Sequence, residues 1–324
     1  MPERVILGAS GLSVSPVSFG TWQLSPRFWG EQSKTTLLKA MRTAYDSGIN
    51  FYDTAEAYGD GYAEEVLGEA IQALPRDEIV IATKVFNHFN PDRTRYPDLS
   101  PAHILERCDL SLKRLKTGYI DLYLLHFYDQ LTRLAEITET LENLRSQGKI
   151  RHYGVSNFNV EQLRAARHFG NYTVLQPPYS LFNTQIEAEI LPYCQAQNIG
   201  VMVYSPMHKG LLSGKYSGSE SFSDFRAFHP DFQSDRFKLL AGKVQQLKPL
   251  AEAAGVSIYQ LVLAATLAHP SIHVAIAGIK TGAQIIEATA AMRLVIDRKT
   301  YWTIRKILDI SEQGKPKDAS GGVK

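Results

Sequence analysis

Eight short, continuously apolar runs recur along this chain with an amphipathic segment after almost every one, and that alternation constrains the fold more than any other feature. The runs are VSFGTW from Val17, INFYD from Ile49, IVIATK from Ile79, IDLYLLH from Ile120, RHYGVSN from Arg151, YTVLQ from Tyr172, GVMVYS from Gly200 and HVAIAG from His273. Runs apolar on both faces suit parallel strands covered by helices, where neither face meets water. The intervening segments carry helical spacing: Leu37, Met41, Ala44 and Tyr45; Ile104, Cys108, Leu112 and Leu115; Ile137, Leu141 and Leu144. These apolar positions recur at three and four residues. Strand and helix repeated eight times predict a (β/α)8 TIM barrel of the α/β class, and no linker or compositional shift divides the chain.

A doubly wound sheet is the alternative, but it carries a G-x-G-x-x-G turn after its first strand, which this chain lacks. GLLSGK at Gly210 to Lys215 resembles a phosphate loop only superficially. Three residues lie between its glycines where four are needed, and Tyr216 stands where Ser or Thr would.

Composition narrows the function classes. Of 324 residues, 44% are hydrophobic and 21% charged, ordinary globular usage. Lys and Arg total 35 against 33 acidic residues, a net charge of +2 with mixed signs, so no electrostatic footprint for nucleic acid is present. The longest weakly polar stretch, VSIYQLVLAATLA from Val256, is too short to span a bilayer, which takes about 20 apolar residues. The start, MPERVILGAS, lacks the apolar core of a signal peptide. Cys108 and Cys194 offer no disulfide or metal-clip spacing, and a reducing cytoplasm is the expected setting. The expected partner is a small molecule, bound by a monomer or weak homo-oligomer.

In such a barrel the chemistry sits at the carboxyl ends of the strands, so the polar residue ending each run matters. The tips read Trp22; Asp53; Lys84; His126; Ser156 and Asn157; Gln176; Tyr204 and Ser205; and Gly278 with Lys280. Singly, Asp53 would serve as a helix cap, Lys84 as a solvated strand end and His126 as a hydrogen-bonded core residue. Jointly, three different ionisable types end three consecutive strands at one edge. Asp53 can neutralise a desolvated Lys84, and a lysine cation beside Tyr58, five residues after Asp53, is expected to lower the phenol's pKa and make it a general acid. Metal chemistry is disfavoured at these tips, because no second histidine joins Asp53 and His126 and the lysine opposes a cation.

Longer motifs resemble the aldo-keto reductases. GINFYDTAEAYG with AEEVLGEAI, SLKRLKTGYIDLYLLH, LRSQGKIRHYGVSNF, VYSPMHKGLLSGKY and AIAGIKTGAQIIEA are collinear with that family over roughly residues 5 to 295. The resemblance implies one domain over residues 1–312, with a short N-terminal β-hairpin and an extra C-terminal helix; the tail QGKPKDASGGVK at 313–324 has nothing to bury and is expected to be disordered. It implies NADP(H) as cofactor and a catalytic tetrad of Asp53, Tyr58, Lys84 and His126.

By the same resemblance, Ser156, Asn157 and Gln176 hold the nicotinamide carboxamide and Tyr204 stacks on its ring. Ser205, Pro206, Met207, Gly210, Leu211 and Lys215 fold over the pyrophosphate. Lys280, Thr281 and Gln284 meet the adenosine 2′-phosphate, unless Lys215 or an arginine does so. Gly20, Thr21, Trp22 and Gly278 complete the cofactor set. The family often has asparagine where Ala288 stands and tryptophan where Phe127 stands. Trp22, Trp29, Phe86, Phe127, Tyr128, Phe158 and Met207 are expected to line an apolar mouth suited to aromatic or mid-chain aldehydes. The expected activity is NADPH-dependent carbonyl reduction. The alternatives are a sugar or polyol dehydrogenase and, from another class, a non-catalytic redox-sensing channel subunit.

Overall fold

The computed structural model describes residues 3–25, 29–30, 33–90, 92 and 94–310. Eight parallel strands close a barrel. The twelve strands in chain order are β1 (Val5–Ile6), β2 (Ser13–Val14), β3 (Val17–Gly20), β4 (Phe51–Asp53), β5 (Val80–Val85), β6 (Asn87–Phe89), β7 (Arg95–Pro97), β8 (Ile120–Leu125), β9 (Ile150–Ser156), β10 (Val174–Gln176), β11 (Gly200–Tyr204) and β12 (Val274–Gly278). The closed order is β10-β11-β12-β3-β4-β5-β8-β9, which places β4 and β10 on opposite sides of the barrel. Each of the eight apolar runs forms one of these strands.

The pleat decides which side chains face inward, since alternate residues of a strand share a face. The barrel interior is packed by Phe51, Val80, Ala82, Leu122, Leu124, Val174, Met202, Val274 and Ile276. Two residues beyond the last of these on five of the eight strands, β4, β5, β8, β10 and β11, stand Asp53, Lys84, His126, Gln176 and Tyr204. Parity therefore aims the polar residue of each tip at the barrel axis. The outward residues, such as Tyr52, Ile81, Tyr123 and Val155, pack against the helices.

The hairpin β1–β2 lies at the opposite end. Its Leu7 and Val14 are fully buried and join the interior cluster, closing the amino-terminal mouth of the barrel. There Gly8, at φ 54°, bridges to Ile199; a Cβ on it would lie 2.1 Å from the Gly200 amide nitrogen, so only glycine fits. The covering helices follow their strands as predicted: Lys34–Asp46, Pro101–Leu115 and Leu134–Ser146 carry the three periodic sets. The helix Arg298–Leu308 is the extra C-terminal one and packs against Ser234–Gln245. The tail at 313–324 lies outside the described residues.

Between β11 and the helix Ser234–Gln245 the long Ser- and Gly-rich segment forms three short 3-10 turns, His208–Ser213, Phe225–Phe228 and Pro230–Phe232. A separate small core of Leu211, Tyr216, Phe232, Phe237, Leu240 and Ala241 anchors it. No single helix among the described residues is long and apolar enough to cross a membrane.

Candidate active site

At the carboxyl end of the barrel a cleft of about 680 Å³ opens over the strand tips. Lys84, fully buried, forms its foundation. The ammonium donates to both Asp53 oxygens at 2.9 Å, to the Thr54 carbonyl at 2.8 Å and to the Tyr58 hydroxyl at 3.2 Å. Gln176 Nε2 donates to Asp53 Oδ2 at 2.8 Å from the opposite side of the barrel. Asp53 is thus held by two neighbours while Lys84 is aimed at the phenol.

The electrostatics correct one expectation. Burial, then the Asp53 charge, push the Tyr58 phenol well above its usual pKa rather than lowering it. Lys84 is matched by Asp53, so the phenol faces a compensated pair in a desolvated site. Burial pulls the Lys84 ammonium below its usual value, with Asp53 opposing. His126 is pushed well below its usual range by burial and by Lys84, which keeps the imidazole neutral; its Nδ1 is buried without a hydrogen-bond partner. Its ring stands edge-on to Tyr58, centroids 6.0 Å apart.

On the facing wall, Asn157 Nδ2 donates to the His126 carbonyl at 2.9 Å and to Ser156 Oγ at 3.1 Å, while Tyr204 donates to Asn157 Oδ1 at 2.8 Å. Asn157 and Ser205 both adopt positive φ, 62° and 60°. Asparagine tolerates that region, but serine there carries strain, which the surrounding contacts must sustain. Farther out the cleft runs past Gly20, Trp22, Pro206, Met207, Gly210, Gly278 and Gln284 to three cations, Lys215, Arg226 and Lys280. Lys280 Nζ lies 4.4 Å from the Trp29 ring centroid and Arg226 Cζ 5.4 Å from it. Burial and the neighbouring Arg226 and Lys215 charges depress the Lys280 ammonium despite Asp224.

Several expected residues stand elsewhere. Leu211 is buried in the small core beneath the loop, and Thr21 is buried behind the tips. Thr281 caps the helix Gly282–Ala291 by accepting from the Gln284 amide, and the Gln284 side chain accepts from the Lys280 amide. Both shape the turn, and of the two Gln284 also lines the cleft. Among the expected mouth residues, Trp22, Trp29, Phe127 and Met207 line the cleft. Phe86 instead packs behind Phe127 at 5.3 Å, Tyr128 lies edge-on to Phe158, and Phe158 is buried. Ala288 is buried in the main core, and the polar residue presented to the cleft beside it is Glu287. Sequence reasoning missed Gln23, Lys209, Arg226, Tyr259 and Glu287. Of these, Arg226 alone had a signal, since an unspecified arginine is the stated alternative to Lys280.

A barrel whose strand tips clamp a lysine between a carboxylate and a phenol is the arrangement to compare with known proteins. The signature of the Aldo/keto reductase family matches residues 16–309, and the chain belongs to that family. The aldo-keto reductase YhdN of Bacillus subtilis is 36% identical over 87% of this chain and 86% of its own. Among solved structures, the glycerol dehydrogenase of Gluconobacter oxydans superposes with a TM-score of 0.89 at 29% identity, covering 99% of both chains. An aldo/keto reductase of Klebsiella pneumoniae in complex with NADP and acetate gives 0.75 at 29% identity, covering 95% of this chain and 96% of that one.

Proposed function

We propose that this enzyme reduces aldehydes and reactive ketones to alcohols with NADPH. The observation that carries the reading is the Tyr58 hydroxyl, desolvated, kept protonated and 3.2 Å from the buried Lys84 ammonium. A phenol in that state is a proton donor. The cleft fits the cofactor by its donor set: amide and hydroxyl groups of Ser156, Asn157 and Gln176 beside the flat Tyr204 ring, and three cations at the far end. Ser156, Asn157, Gln176 and Tyr204 would hold the nicotinamide, which would supply hydride to the carbonyl carbon. Tyr58 gives its proton to the carbonyl oxygen, and Lys84 stabilises the phenolate left behind by hydrogen bonding and charge. The neutral His126 imidazole orients the same oxygen. Asp53 and Gln176 hold Lys84 in register and are not themselves exchanging protons.

The reverse reaction, polyol oxidation, is a second reading favoured by the likeness to a glycerol dehydrogenase. It requires Tyr58 as a base, which the raised phenol pKa opposes near neutrality. Initial rates at pH 7 with NADPH and 4-nitrobenzaldehyde, against NADP+ with glycerol and a panel of aldoses, separate the two. Faster turnover of any polyol than of every carbonyl tested would reverse the assignment.

A further inference from the structure

Away from the cleft, the antiparallel hairpin β6–β7 brings three potential ligands together with the start of the helix Pro101–Leu115. His88, Asp98 and His103 each offer a ligand atom, all within 4.8 Å of one another. The His88 and His103 Nδ1 atoms lie 4.0 and 3.7 Å from the same oxygen, Asp98 Oδ2. These distances are too long for hydrogen bonds. They approach those between ligands of one ion: bonds of about 2.0–2.1 Å at tetrahedral angles put neighbouring ligand atoms about 3.4 Å apart. Closing this cluster around an ion takes less than about 1.5 Å of side-chain movement on that geometry.

The surroundings orient the donors. His103 is buried and its Nε2 lies 3.1 Å from the Asn87 carbonyl, so Nε2 carries the proton and the Nδ1 lone pair faces Asp98. A ligating histidine fixed by a carbonyl on its other nitrogen is the usual outer-shell pattern of metal sites. Asp98 Oδ1 accepts from the Ser100 amide at 2.8 Å, which turns Oδ2 toward the two imidazoles. The His88 ring is stacked on Tyr96, centroids 4.7 Å apart, and its side chain is 37% exposed, leaving an approach from solvent. Arg107, whose charge is felt by His103, is committed to Glu56 at 2.7 Å.

We propose that His88, Asp98 and His103 bind a divalent transition-metal ion of the zinc type, clasping the hairpin to the following helix. Two imidazoles and one carboxylate suit zinc or cobalt, with the remaining position open to water. The ion would brace the strand extension that carries Phe86 without entering the reaction.

Co2+ titration of chelator-stripped full-length protein tests this through the visible d–d bands of a nitrogen- and oxygen-ligated ion, with Zn2+ affinity measured by competition. Wild type should bind one equivalent. His88→Gln and Asp98→Asn should each weaken binding at least about tenfold and remove the bands. Because His103 is buried, its variant is secondary, and circular dichroism of His88→Gln establishes that the chain is folded. Equal Co2+ affinity and spectra in wild type and both variants, or no stoichiometric binding, would overturn the proposal.

Discussion

At the scale of single residues, Asp53, Tyr58, Lys84 and His126 are constrained more by one another than by solvent. Lys84 has three protons and four acceptors within 3.2 Å, so its hydrogen bond to Tyr58 competes with two to Asp53 and one to Thr54. Tyr58→Phe should leave fold and cofactor affinity intact and cut turnover about 100 to 10,000-fold. Single-turnover rates at saturating NADPH measure it, and a near-wild-type rate would remove Tyr58 from the acid role. Lys84→Met should be comparably slow and should also leave Asp53 buried without its cation, lowering the melting temperature. Retained activity with an unchanged pH profile would return Lys84 to a purely structural part. At the outer end of the cleft, Lys280→Ala should weaken NADPH binding on the order of 10 to 100-fold while NADH binding barely changes, since a hydrogen bond to a charged group is worth about 1.5–3 kcal/mol. Arg226→Ala, measured alongside by fluorescence titration, apportions the phosphate between the two. Equal weakening of both cofactors would mean that neither cation reads the 2′-phosphate.

At the scale of elements, the strands were legible because both their faces are buried, which turns them into unbroken apolar runs with a polar residue at the end. Three of the residues that meet in the candidate site were legible for the same reason: Asp53, Lys84 and His126 interrupt such runs. The pKa of Tyr58 was not, because it depends on how fully Asp53 compensates Lys84, a matter of ångströms rather than spacing. Arg226 was not either. Its segment has no period, and Arg226 is docked at the cleft by an ion pair with Asp224, by donating to the Tyr216 hydroxyl at 2.6 Å and by the Phe222 ring. The helices follow tighter rules. Gly68, in the helix Tyr62–Ala70, is where that helix meets the end of Pro101–Leu115; an added Cβ would lie 2.1 Å from the Arg114 carbonyl oxygen. Gly68→Ala should therefore destabilise by about 1–3 kcal/mol through overpacking. Gly242→Ala, on an outer helix where a Cβ meets nothing within 4 Å, should stabilise by roughly 0.5–1 kcal/mol. Thermal melts of the pair check the contrast, and matched shifts would contradict the close helix contact.

At the scale of the whole molecule, a buried carboxylate ties stability to pH. Glu56 is 1% exposed, accepts from Arg107 and from the Phe86 amide, and burial raises its pKa to about 7 despite the Arg107 charge. A carboxyl whose folded pKa exceeds its unfolded one binds more protons when folded. Its contribution is therefore fullest below about pH 4.5 and is lost as pH rises toward 7, by an amount on the order of 3 kcal/mol. Glu56→Gln should flatten the stability profile between those limits, measured by urea unfolding at several pH values. An unchanged slope would mean that Arg107 holds Glu56 ionised throughout.

The hydrogen bond from Gln176 to Asp53 crosses the barrel between strands that stand opposite each other. The groups proposed to move protons all come from β4, β5 and β8 or the turns after them, whereas nearly all those proposed to hold the cofactor come from β9 onward. The chain is thus written as two consecutive paragraphs, one for acid–base chemistry and one for cofactor choice. Gln176 is where the second checks the first. A chimera exchanging everything after Gly148 with a relative would inherit the donor's cofactor preference while keeping its own proton donor, provided that the incoming tenth strand still brought an amide to Asp53.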